Sequence, residues 1–238
     1  MQPLSPGFPL TDFVLALPVL VFSLVAHEYA HGATAFRQGD DTAYMLGRLT
    51  LNPLPHIDPW LSILMPAVLW FGSHGRFTFG GAKPIPVNPR NYRSYKRGDI
   101  LVSAAGVATN LLLSLVFAGL FMALGLVFRA WPGAGATLDV SQRMMVWGVQ
   151  LNLVLAFFNL IPIPPLDGSH LFYYLLPPDL GARYRELQRF GFLPLLVLML
   201  VFQPVIGWLL TPAWWALRLL LGFMLPFAVG NGWNIFGA

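Results

Sequence analysis

Apolar residues fall in long blocks along this chain. They run almost unbroken over 11–36, 100–128, 140–161, about 188–210 and 213–229, each approaching or exceeding the ~20 residues that a membrane-spanning helix needs. A sixth run, 57–72, is short. The pattern predicts an all-α polytopic membrane protein with about six transmembrane or membrane-embedded helices. After the short run comes FGSHGRFTFGGAKPIPVNP, ending at Pro89, whose Gly and Pro punctuation belongs to non-helical chain. It predicts a re-entrant loop, since irregular backbone is tolerated at membrane depth only where protein or a water-filled cavity surrounds it.

Composition strengthens the membrane reading. Hydrophobic residues make up 56% of the 238 and charged residues only 10%, against roughly 25% charged in soluble domains. The first run lacks a preceding basic region and exceeds the length of a signal-peptide core, so it is expected to be a permanent helix. A net charge of +4 in so apolar a chain reads as a topology signal and does not point to nucleic acid. Lys and Arg gather at Arg37 and Arg48, at 83–97 and at 183–189, and the positive-inside rule assigns these to the cytoplasm. That orientation puts the N-terminus outside and Trp208, Trp214 and Trp215 in an outer aromatic belt. With no internal repeat and no long polar appendage, one membrane-embedded domain is expected over 1–238, with a catalytic core at about 11–176 and a C-terminal helix pair at about 188–229.

The chemistry begins in VFSLVAHEYAHGATAFR, residues 21–37. His27 and His31 lie four residues apart, on one face of a helix, where both imidazoles can converge on one ion. Glu28 flanks that face at the position of a general base. The chain holds only five His and two Glu, yet three of these seven sit within five positions of an apolar helix, where ionisable groups are costly and mark function. There is no cysteine, so a third ligand must be His, Asp or Glu. The candidates are His56, Asp58, His74, Asp99, Asp167 and His170. Asp167 stands out, because FFNLIPIPPLDGSHLF breaks the chain at the same expected depth, although an Asp-Gly pair alone is an ordinary turn.

These motifs together resemble the site-2 protease family, the intramembrane zinc metalloproteases of peptidase family M50, in its compact bacterial form without a PDZ domain. H-E-x-x-H in the first helix is followed by Asn159-Leu160-Ile161-Pro162-Ile163-Pro164-Pro165-Leu166-Asp167-Gly168, and GRLTLNPLPHIDP, AKPIPVNPRNYR and AAGVATN agree. One departure is Val107, where the subgroup carries proline in Ala-Gly-Pro-x-x-Asn. The resemblance implies one zinc ion held by His27, His31 and Asp167, water activated by Glu28, and Asn110 near the site, as an oxyanion donor or as a helix-packing group. It also implies hydrolysis of peptide bonds in or near transmembrane segments, a bacterial inner-membrane location and an active site toward the cytoplasm. Residues 42–52 and 76–87 have the composition of short β segments near the active site, suited to pairing with an unwound substrate. The competing reading is a membrane protein that binds or transports zinc without proteolysis, which would spread its ligands along a path across the bilayer.

Overall fold

A computed structural model of the protein describes residues 9–72, 80–229 and Trp233. Helix α1, Pro9–Gln38, opens with Asp12 in its first turn and closes with Arg37 in its last, charges that complement the helix dipole. It ends where Gly39 takes a φ of 108°. Gly39 N–H bonds to the Phe36 carbonyl and Asp40 N–H to the Ala35 carbonyl, the paired closure for which a left-handed glycine suits best. A single helical turn, α2 (Thr42–Met45), follows. A π-helical stretch, Pro59–Leu64, then leads into α3, Met65–Gly72.

Two long helices form the body with α1. They are α4, Tyr95–Ala130, and α5, Gly135–Asn159. Helix α4 packs along both α1 and α5. Phe117, Phe121, Val146, Val149, Leu20 and Leu24 are buried among them. Close approach depends on small residues: a Cβ on Gly148 would run into the Phe117 ring. Next comes the short α6, Asp167–Tyr173, which docks on α4, and α7, Pro178–Arg185. The chain closes with α8 (Leu193–Val201), α9 (Gln203–Leu209) and α10 (Thr211–Met224). Leu217, Leu221 and Met224 of α10 join the central core.

The described residues are largely helical with no β-strand, as the all-α reading requires. Among the described residues, two helices are both long and apolar enough to cross a membrane by length and composition, Leu10–Gln38 and Tyr95–Ala130. The run at 188–210 does not form one helix. It divides at Phe202, and Pro204 in the first turn of α9 lacks the N–H that would continue α8. The halves have 9 and 7 residues, each below a bilayer's span.

The expected β segments also differ. Residues 42–45 are helical, and Gly47 turns the chain at φ 65°. Part of 76–87 lies outside the described residues, as does part of the expected re-entrant loop. The remainder, 80–88, is an irregular strap. Its backbone is held along its length: Ser62 Oγ donates to the Gly81 carbonyl (2.6 Å), Lys83 N–H to the His56 carbonyl (2.8 Å), and Arg48 Nη2 to the Lys83 carbonyl (3.1 Å). At the far end, buried Asp40 accepts from Asn88 N–H (2.6 Å) and Asn91 Nδ2 (2.9 Å). Burial pushes the Asp40 pKa up, but the hydrogen bonds from Thr42, Asn88 and Asn91 outweigh it and hold the carboxyl below its ordinary range.

Candidate metal centre

His27 and His31 leave the same face of α1 toward α4, where the helix wall is bare. A Cβ on Gly106 would collide with His31 Nε2 and the His27 ring, so glycine makes room for both imidazoles. Each ring is oriented through Nδ1. His31 Nδ1 lies 2.7 Å from the Val102 carbonyl, which can only accept, so Nδ1 carries the proton. His27 Nδ1 bonds to Asn110 Oδ1, with Asn110 Nδ2 donating to Asn152 Oδ1 at 2.8 Å. In the neutral form that ligates a metal, each ring held this way presents its Nε2 lone pair, and the two Nε2 atoms lie 3.0 Å apart.

Asp167 arrives from a distant part of the chain. It is the first residue of α6, after Leu166 in an extended conformation and a run of tight turns over 161–166. Gly168 follows because a Cβ there would meet the Leu160 carbonyl. Asp99 on α4 anchors the far side of α6: Tyr174 Oη donates to Asp99 Oδ2 at 2.8 Å, and His170 Nδ1 lies 3.3 Å from Asp99 Oδ1. Burial and then the Asp99 carboxylate raise the Tyr174 pKa, keeping the phenol a donor. Tyr184 Oη also donates to the Pro162 carbonyl (2.8 Å), tying α7 to the turns before Asp167.

Asp167 Oδ2 stands 3.3 Å from His27 Nε2 and 3.3 Å from His31 Nε2, buried and without a hydrogen-bond donor. Three electron-pair donors facing one another repel unless a cation lies between them. Zinc bonds of about 2.0–2.1 Å in a tetrahedron set ligand separations of about 3.3 Å, which the observed 3.0, 3.3 and 3.3 Å match. Three protein ligands leave a fourth position for water, the catalytic pattern. His27, His31 and Asp167 are the one such group among the described residues.

The other candidates sit elsewhere. His56 is buried with Nε2 2.9 Å from the Thr50 carbonyl, bracing the loop before the π-helical stretch. Asp58 accepts from Trp60 N–H at 2.9 Å. Asp99 and His170 pair with each other, and His74 lies outside the described residues. Glu28 is on the same turn as His27, and its Oε2 accepts from the Ile85 N–H of the strap at 2.7 Å. Asn110 is fully buried, with Oδ1 turned to His27 and Nδ2 to Asn152, so its hydrogen bonds support a ligand and a helix contact. The sequence reading passed over Asn152. Its only signal there was a single carboxamide inside the apolar run LNLVLAFF, where polar groups bridge helices.

A helical protein with two buried histidines and a half-buried aspartate meeting beside a glutamate, framed by apolar helices, has the makings of a metallohydrolase. Comparison with known proteins narrows the class. Residues 125–201 match the family model described as Peptidase family M50. "Putative zinc metalloprotease YwhC" of Bacillus subtilis (strain 168) is 40% identical over 196 residues, 80% of this chain and 82% of that protein. "Putative zinc metalloprotease Rip2" of Mycolicibacterium smegmatis is 31% identical over 204 residues, 85% of this chain and 73% of that one. "Putative zinc metalloprotease MJ0611" of Methanocaldococcus jannaschii is 26% identical over 168 residues, 69% and 72% of the two chains. No solved structure matches. The chain belongs to peptidase family M50, and through it to the site-2 proteases. It is a membrane-embedded zinc metalloprotease acting on protein.

Proposed function

We propose that the protein is an intramembrane protease, cutting peptide bonds in or near transmembrane segments of membrane-protein substrates at a zinc held by His27, His31 and Asp167. The observation that carries this reading is the meeting of Asp167 Oδ2 with both Nε2 atoms at 3.3 Å, between helices of which two are fit to cross a membrane. Bound zinc would supply Lewis acidity, lowering the pKa of water and polarising the scissile carbonyl. Glu28 takes the proton from the attacking water on its carboxylate and returns it to the leaving amine. Asn110 holds His27 by its Nδ1–H and so acts as a positioning residue.

The strap at 80–88 is the best-placed edge for an unwound substrate, because Ile85 N–H already contacts Glu28 and backbone pairing would draw a peptide alongside the base. The domain is taken as one unit, core 11–176 with the pair 188–229 against it. The exposed Arg90, Arg93, Lys96 and Arg97 before and within the first turn of α4 and Arg183 and Arg189 near α7 support a cytoplasmic placing of that end in the inner membrane. The test is co-expression with a single-span membrane substrate, comparing wild type with Glu28→Gln. Glu28→Gln is expected to keep its zinc and lose cleavage by about 10²–10⁴-fold. Zinc bound and cleavage equal in both would overturn the assignment.

A further inference from the structure

Behind the two histidines a chain of hydrogen bonds crosses three helices, and its sense is set at the end farthest from the metal ligands. Asn152 on α5 is fully buried. Its Nδ2 lies 2.8 Å from the Gly148 carbonyl and 2.8 Å from Ser23 Oγ on α1, while its Oδ1 accepts from Asn110 Nδ2 on α4 at 2.8 Å. A carbonyl cannot donate. If the Asn152 carboxamide were reversed, its oxygen would face the Gly148 oxygen and its NH2 would face the Asn110 NH2. One fixed acceptor therefore dictates the orientation of Asn152, and Asn152 dictates that of Asn110. With Nδ2 engaged by Asn152, Asn110 offers only Oδ1 to His27, and the proton of His27 must reside on Nδ1.

We propose that Asn152 is a positioning residue of the metal centre, fixing through Asn110 which ring nitrogen of His27 is left free to bind zinc. The inference rests on His27 being a zinc ligand. It divides the two histidines by mechanism: His31 is set directly by the Val102 carbonyl, whereas His27 is set at two removes by the Gly148 carbonyl. Ser23 differs from Asn152, because its hydroxyl can accept or donate and so imposes no sense on the chain. Partners that fix the tautomer of a ligating histidine typically account for 10–100-fold in metal affinity, and freeing Asn110 to rotate removes that constraint.

The test uses the full chain in detergent, with zinc affinity read by competition against a chromophoric chelator and Tm read with and without zinc. Asn152→Leu removes the constraint at similar volume and is expected to weaken zinc 10–100-fold. Ser23→Ala is expected to stay within about threefold, because Gly148 still sets the sense. Asn110→Leu should weaken zinc at least as much as Asn152→Leu, and combining the two should cost no more than Asn110→Leu alone, as residues acting in series require. The inference is overturned if Asn152→Leu binds zinc within about threefold of wild type. It is equally overturned if apo Tm falls while zinc affinity holds, or if the double variant loses the product of the single losses. Should Asn152→Leu not fold, Asn152→Ser serves the same comparison, since its hydroxyl can face Asn110 in either sense. His27→Ala separates the premise from the inference: it must abolish high-affinity zinc, and retention there would remove His27 from the site whatever Asn152 does.

Discussion

The glycine at 106 offers a sharp test of how the metal centre is built. In Gly106→Ala the added Cβ meets His31 Nε2 and the His27 ring at once. An ordinary contact between such atoms is about 3.5 Å, so the rings or the helix must yield by about 1 Å, whereas ligand positions tolerate only about 0.2 Å. Helix propensity alone favours alanine by about 1 kcal/mol, which offsets part of the 1–3 kcal/mol that overpacking costs. The variant is therefore expected to fold, with stability lowered by about 0–2 kcal/mol, while zinc affinity falls by about 10–100-fold. Equilibrium competition with a chelator reads the affinity, and circular dichroism with thermal melting of the zinc-free form reads the fold. Zinc binding within about threefold of wild type would refute the close packing of α4 against both histidines.

Two further outcomes follow from the strap and its anchor. Ile85→Pro removes the N–H that Glu28 accepts and should depress cleavage while zinc content, measured by atomic absorption, stays at wild-type level; unchanged cleavage would separate the strap from catalysis. Asp40 has a depressed pKa in the folded protein, so its contribution is fully present above the unfolded carboxylate value near ~3.9 and is lost as pH falls through the lower folded value. Hydrogen exchange of 88–93 should accelerate on acidification below about pH 4, and Asp40→Asn should flatten that dependence; an identical acid profile in the variant would show that another group controls the strap.

The parts of the molecule legible in the sequence are those whose geometry is local. Four residues of helix bring His27 and His31 to one face, and the Asp-Gly after a run of prolines marks a chain that must turn at Asp167. What joins the halves was not legible in the same way. Nothing near Asn152 in sequence announces that it reaches Ser23, far along another helix, or that Asn110 spends both ends of its carboxamide on His27 and Asn152. Apolar content also overstated continuity, since 188–210 breaks at Phe202 and Pro204. The β-like composition of 42–52 lost to a helical turn and Gly47, as strand preference depends on finding a neighbouring strand, and the described residues offer none.

The anchoring of α6 by Asp99 has a consequence for biogenesis. A chain emerging N-terminus first makes α1 and α4 long before Asp167, so the two histidines can be oriented while their third partner is still unsynthesised. The Asp99 carboxylate on α4 is met by Tyr174 and His170, on the segment that carries Asp167 to the pair. Before that segment is made, a growing chain holds two imidazoles and no closed site. On the proposed ligand assignment, a chain cut short before Asp167 is expected to bind zinc weakly, since two imidazoles lack the third ligand of a catalytic site.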